Sequence, residues 1–426
     1  MSANLPSKMF SASIAIHPII PCLNVLMTIA PPRSVARTYR GRLIVLGAIA
    51  LTALNLRTAV TGFSAIATTV ENSLGFGPAV TGLVGTLVTA CFALCAFLAP
   101  ALARRLGLER AAMFAVILTT VGLVLRATAG STAMLLVSTV VAFAGVGASN
   151  VLVIPVVKRH FDDRIKTIST AYMVLLQIGQ FVAPIVAVAA TARFDWRISM
   201  GVWPVLTAVA AVLWIVVVAR TPPASASVAP VVASSSLVHR RSPLLWGLVG
   251  LMGMTTLHTY ALVTWLPSMF GEAGLGDLAS ASLLSTFAVV GLAAAIVVPA
   301  LVGRLANPYG IVVACVIFLL AGYLGMLAAP ASAPVLWAVL LGLGVSTFPL
   351  CLTLIGTRTS SPAEAASLSG IVQGVGYSIG CLGPVLLGLL NEQTGSWTPS
   401  YVFLIATLVI TLGAGWLACR PSTMRL

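Results

Sequence analysis

The chain has 426 residues, 59% of them hydrophobic and only 8% charged, with a mean hydropathy of +1.08 and a formal net charge of +14. Soluble domains carry about 25% charged residues, so a soluble globular protein is excluded. The basic surplus does not indicate a nucleic-acid partner, because the charges lie between apolar runs instead of on one polar face.

Residues 1–40 are expected to form a cytoplasmic tail. Met9 to Ala30 is moderately apolar but broken by Pro18 and Pro21, so the tail is either disordered or an over-long start with the true first residue at Met27. Twelve runs then reach the roughly 20 apolar residues that a bilayer-crossing helix needs. They cover approximately 43–68, 78–102, 111–129, 132–157, 168–191, 198–219, 244–270, 280–302, 309–329, 333–356, 366–390 and 399–419. Lipid offers no partner to an unpaired backbone group, so continuous runs of this length predict helices.

Between the sixth and seventh runs lies "TPPASASVAPVVASSSLVHRRS", a flexible linker by composition. It divides the chain into 41–220, linker 221–242, 243–420 and a short tail 421–426. The halves echo one another. Pro100-Ala101-Leu102-Ala103-Arg104-Arg105-Leu106 recurs as Pro299-Ala300-Leu301-Val302-Gly303-Arg304-Leu305, Gly145-x-Gly147-x-Ser149 as Gly342-x-Gly344-x-Ser346, and Ile178-Gly179 with Pro184 as Ile379-Gly380 with Pro384. A parallel six-plus-six repeat predicts an all-α integral membrane fold of two pseudo-symmetric six-helix bundles, the major facilitator architecture.

With the N-terminus placed in the cytoplasm, nineteen of the 23 Lys and Arg fall on the cytoplasmic side. Arg126, Arg193 and Arg197 fall outside, and Arg57 alone falls in the membrane. This is the positive-inside bias. It predicts a multi-pass protein of the inner or plasma membrane with both termini cytoplasmic, and anionic lipid as a secondary contact. Cys91 and Cys95 share a helix face without a neighbouring His or carboxylate, so inert thiols are expected there, and no metal site.

The chain resembles the cyanate and nitroimidazole permease branch of the major facilitator superfamily over roughly residues 40–420. The resemblance is carried by "ALNLRTAVTGF", "ASNVLVIPVVKRHF", "YALVTWLPSMF" and "ASLSGIVQGVGYSIGCLGPVLLGLLNEQTGSW". "PALARRLGLERAA" looks like the superfamily's gating loop, but Arg104 replaces the usual acid and Pro100 stands where Gly is common. The resemblance implies a secondary transporter for a small polar solute. Cyanate or another compact anion and nitro-heteroaromatic compounds are the substrates it suggests.

Arg57 is the first candidate ligand, because an ionised residue at helix centre costs about 2.5–3.5 kcal/mol on insertion scales. All nine acids lie in predicted loops or at span ends, which leaves Arg57 without a carboxylate partner. It meets a substrate anion, or it is structural and neutralised by carbonyls and water. His258, the only His inside a predicted span, aligns with the depth of Asn55. Packing, donation to substrate and proton carriage remain open for it. Asn55, Asn150, Gln177 and Gln373 are further hydrogen-bonding candidates, each also suited to holding helices together. Tyr260, Trp265 and Tyr377 are suited to wall a planar ligand.

Arg104, Arg105, Arg304, Lys158 and Arg159 are the candidate gating charges at the cytoplasmic ends. No nucleotide loop, paired carboxylates or Ser–His–Asp set is present, so neither an enzyme nor a cofactor is expected. The predicted function is alternating-access transport by a monomer, with a coupling proton among the open possibilities. A multidrug or metabolite exporter of the same fold is the alternative, and a non-transporting membrane sensor a remote one.

Overall fold

The computed structural model describes residues 34–220, 242–305, 307–359 and 362–420. The expected tail up to residue 33, linker residues 221–241 and the tail 421–426 lie outside the described residues. The chain divides into residues 1–43 and 44–426. The described part of the first unit is helical from Ser34; the second unit carries the remaining helices.

All regular structure among the described residues is helical. The first half holds a first span made of Ser34–Asn55 and Thr58–Ala65, the short helix Ala67–Leu74, and then Pro78–Leu106, Leu108–Ala127, Thr132–His160, Ile165–Arg193 and Trp196–Arg220. The second half holds Pro243–Glu272, Asp277–Val302, Tyr309–Ala328, a tenth span of Pro334–Gly344 and Thr347–Thr357, an eleventh of Pro362–Gly380 and Leu382–Thr394, and Thr398–Cys419.

Eleven of these spans are long and apolar enough to cross a bilayer. The seventh, Pro243–Glu272, is 30 residues long but is not among them. Thr255, Thr256, His258, Thr259, Tyr260 and Thr264 lower its hydropathy. Its side chains are buried by protein nearly without interruption from Leu244 to Phe270, so its polar groups meet neighbouring helices instead of lipid.

The glycine motif of the repeat reappears as close packing in both halves. A Cβ on Gly145 would strike the third span at the Ala115 carbonyl and Thr119, and one on Gly344 would strike the ninth at the Cys315 carbonyl and Leu319. Gly147 faces Cys91 and Cys95 of the second span, while Gly342 faces Phe287 and Val290 of the eighth. Each half thus sets one glycine of the motif against each of two neighbouring spans, but in the opposite order along the chain. Helices approach this closely only where a side chain is missing.

The two halves meet through the second span against the eleventh and the fifth against the eighth. Thr86 Oγ1 donates to the Cys381 carbonyl at 2.8 Å, Gln177 Nε2 to Ala288 at 3.1 Å and Ser285 Oγ to Phe181 at 2.7 Å. Nearer the end that carries Glu71 and Glu272, the Ala79 amide donates to Glu392 Oε2 at 2.8 Å. Among the described residues, these hydrogen bonds between the halves lie from mid-depth to that end.

Candidate functional site

The first span breaks where its arginine sits, for a local reason. Thr58 Oγ1 donates to both the side-chain oxygen of Asn55 (2.9 Å) and the Asn55 carbonyl (3.1 Å). Such short polar side chains offer the backbone an alternative to the helical ladder. Leu56 bonds back only three residues, to Ala53, and Arg57 adopts φ −119° and ψ −16°. The fifth span makes room for the break: a Cβ at Gly179 would collide with the Leu54 carbonyl.

Arg57 is therefore the N-cap residue of the short helix Thr58–Ala65. A cation at a helix N-terminus opposes the macrodipole, whose positive end lies there, whereas an anion at that place is favoured. The guanidinium is partly exposed, and its side chain makes no hydrogen bond or ion pair among the described residues. Its Cζ lies 5.7 Å from the centroid of the Tyr260 ring.

Tyr260 belongs to an aromatic cluster with Phe92 and Tyr377. Phe92 stacks on Tyr377 at 5.7 Å, and Tyr260 lies 6.2 Å from Phe92 and 6.1 Å, edge-on, from Tyr377. The Tyr260 hydroxyl is buried without a partner in hydrogen-bond geometry. Tyr172 lies in the neighbourhood of Arg57 and donates to Asn150 Oδ1 at 3.0 Å. The first, second, fourth, fifth, seventh and eleventh spans thus contribute to one mid-membrane constellation. Phe92 and Tyr172 were not legible as site residues, because an aromatic in an apolar run carries no mark of which way it faces.

Several sequence candidates do other work. His258 is 1% exposed; its Nδ1 lies 2.8 Å from Tyr323 Oη and its Nε2 3.2 Å from Thr407 Oγ1. Thr407 spends its proton on the Leu404 carbonyl at 2.7 Å, so it accepts from Nε2–H, and Tyr323 donates to Nδ1. The imidazole is thereby held as the neutral Nε2–H tautomer inside the second bundle, not beside Arg57. Trp265 donates to the Pro384 carbonyl at 2.9 Å and packs on Trp397, joining the seventh span to the eleventh.

Gln177 joins the two halves through Ala288, and Gln373 donates to Ser369 Oγ one turn earlier on its own helix at 2.6 Å. Asn55, with an unpartnered Nδ2, lines a small cavity within the first half together with Thr52, Thr119, Ser149 and Thr207.

Among the gating candidates, Arg159 donates to Glu109 at 3.2 Å, and His160 lies 2.9 Å from the other Glu109 oxygen. Glu109, buried at the start of the third span, thus supplies the negative partner that Arg104 cannot. Arg104, Arg105, Lys158 and Arg304 are exposed. Cys91 and Cys95 donate their thiols to Val140 and Ala144 of the fourth span.

Arg126 is the largest departure from expectation. Read from sequence as an outside residue, it is 1% exposed, stacked 4.4 Å from the Phe63 ring and bonded through Nη1 to the Ala59 carbonyl at 2.9 Å. Arg57 is consequently not the only uncompensated charge within the helical bundle.

A model of the Major Facilitator Superfamily matches residues 47–384. The chain belongs to this superfamily. It is 28% identical over 371 residues to the 2-nitroimidazole transporter of Escherichia coli, covering 86% of this chain and 92% of that protein. The cyanate transport protein CynX of Escherichia coli is 25% identical over 370 residues, covering 85% and 95%. Among solved structures, a bacterial homologue of the human lysosomal transporter Spinster, inward-facing and occupied, superposes with a TM-score of 0.69 at 14% identity, over 88% of this chain and 95% of that one. The chain is a multi-pass membrane transporter of this fold.

Proposed function

We propose that the protein moves a compact anion or an electron-rich planar solute by alternating access of its two bundles, with Arg57 as the principal ligand. Cyanate-like anions and nitro-heteroaromatics are the substrate classes that fit; the two relatives are described as transporters of 2-nitroimidazole and of cyanate. The observation that carries the reading is the unpaired guanidinium at the helix break, set against the Phe92, Tyr260 and Tyr377 rings. A carboxylate or nitro group accepts a two-pronged bond from guanidinium, and the three rings match a flat, delocalised solute. Tyr172, hydrogen-bonded to Asn150, is the further polar candidate from the first half.

With the N-terminus in the cytoplasm, as the charge bias requires, the end that carries Glu71 and Glu272 is the external one. The protein then resides in the cytoplasmic membrane. Proton coupling, if present, needs a group other than His258, since both its ring nitrogens are occupied.

The test is uptake into proteoliposomes from a panel of small anions and nitroaromatics. Arg57→Ala weakens substrate binding about 10–100-fold, the worth of a hydrogen bond to a charged group, with unchanged yield of folded protein. Arg57→Lys retains the charge but not the planar fork and recovers part of the loss. Full transport in Arg57→Ala overturns the assignment.

A further inference from the structure

The structure assigns a second anion site, separate from Arg57: we infer that Arg126 holds one small monovalent anion of halide size inside the first bundle. Its guanidinium is 1% exposed, and its Nε and Nη2 have no hydrogen-bond partner. No carboxylate pairs with it among the described residues, and its two flat neighbours, Phe63 and Phe143, supply only ring faces. A buried charge of this kind is costly unless compensated.

The cavity beside it is lined by Ala59, Gly62, Phe63, Arg126, Ser199 and Trp203, among others. It measures about 10 Å3 to water-sized centres, room for about one water or one monatomic ion, and far too small for a planar organic substrate.

The chemistry of the lining favours an anion over water. The unsatisfied groups of Arg126, Nε and Nη2, are donors, and the Trp203 indole, whose Nε1 lies 3.2 Å from where a Gly62 Cβ would stand, adds a further N–H at the cavity wall. Arg126 Nη1 donates to the Ala59 carbonyl, and Ser199 Oγ donates to the Ala187 carbonyl at 2.9 Å; no charged acceptor faces the guanidinium among the described residues. A water offers two lone pairs and no charge, which leaves the guanidinium uncompensated; a halide accepts from all the free donors at once.

The site has a mechanical consequence. Ala59 lies in the first turn of Thr58–Ala65, the helix that Arg57 caps. An anion fixing Arg126 therefore braces the half-helix that presents the transport site.

The experiment uses the full-length protein in lipid nanodiscs. It measures radiolabelled chloride binding and the unfolding midpoint in sodium chloride, bromide and gluconate at equal ionic strength. Expected are one bound chloride per chain and a saturable rise of the midpoint in chloride and bromide over gluconate. Arg126→Met abolishes both. Trp203→Phe, which keeps the ring and loses only the donor, raises the half-saturating chloride several-fold and serves should Arg126→Met fail to fold. Arg57→Met leaves both intact. Equal midpoints in all three salts with no bound chloride overturn the proposal, as does a chloride response lost in Arg57→Met but kept in Trp203→Phe.

Discussion

The first span breaks at Leu56–Arg57, whereas its counterpart in the second half, Pro243–Glu272, runs unbroken for 30 residues. The fifth span packs on the first through Gly179, and the eleventh packs on the seventh through Gly380 and Gly383, so the two occupy equivalent places. Their polar groups nevertheless face different ways. In the first span the local Asn55–Thr58 bonds interrupt the ladder and leave Arg57 at a helix start. In the seventh, Thr256 bonds the Gly376 carbonyl and His258 turns to Tyr323 and Thr407, so these polar groups lock the bundle. The repeat thus keeps the packing while dividing the chemistry: the first half contributes the charge and Phe92, the second the Tyr260 and Tyr377 rings.

The sharpest way to break this comparison is to fill the two glycines that hold it. In Gly179→Ala the new Cβ meets backbone, the Leu54 carbonyl, which cannot yield without moving the break itself. Gly380→Ala meets Thr256, with Oγ1 at 2.7 Å and Cβ at 2.9 Å, a looser approach than that to backbone at Gly179. Overpacking costs about 1–3 kcal/mol. Gly179→Ala is expected at the upper end and Gly380→Ala at the lower, read as unfolding midpoints in detergent. The reverse order would show that the break is not the tighter junction.

Much of this organisation was legible in the sequence because it depends on spacing. Apolar runs of bilayer length, cytoplasmic charge and a linker between halves require no tertiary information. Arg57 also stood out, since fourteen residues of apolar chain precede it in its run. Arg126 did not, because it lies shortly before the Gly130 turn, where a side chain ordinarily reaches the interface. Only the packing of Phe63 and Phe143 around it makes it internal. His258 and Tyr260 show the same limit within one helix. Two residues apart, they lie on different faces, and the apolar sequence around them does not reveal which face meets the other half.

That pair supplies the next two tests, in descending order. Tyr260→Leu removes the ring over Arg57, one of the three in the aromatic wall. A cation–π contact and a ring pair are together worth about 1–2 kcal/mol, so KM for a planar substrate should rise about tenfold with little change in folded yield. An unchanged KM would remove Tyr260 from the site. His258→Asn should leave the pH profile of uptake as it is, because the imidazole is fixed neutral by Tyr323 and Thr407. Its cost is in stability, about 1 kcal/mol for the hydrogen bonds lost. A flattened pH profile without destabilisation would make His258 a proton carrier after all.

The smallest effect is expected where the chain after the first span and the end of the seventh approach again. Glu71, in Ala67–Leu74, accepts from Thr81 Oγ1 and feels the Glu272 carboxylate across the interface. Burial first, and the neighbouring Glu272 charge after it, hold the Glu71 carboxyl above the ordinary glutamate range, while the Thr81 bond pulls the other way. A carboxyl raised in the folded state contributes stability that is full below its unfolded value and is lost as pH rises through the folded one. The unfolding midpoint should therefore fall as pH is raised past the ordinary glutamate range. Glu71→Gln, which keeps an acceptor for Thr81 and carries no charge, should flatten that slope. A slope unaltered by Glu71→Gln but removed by Glu272→Gln would place the titration at the end of the unbroken helix instead, and so assign the pH response to the second half.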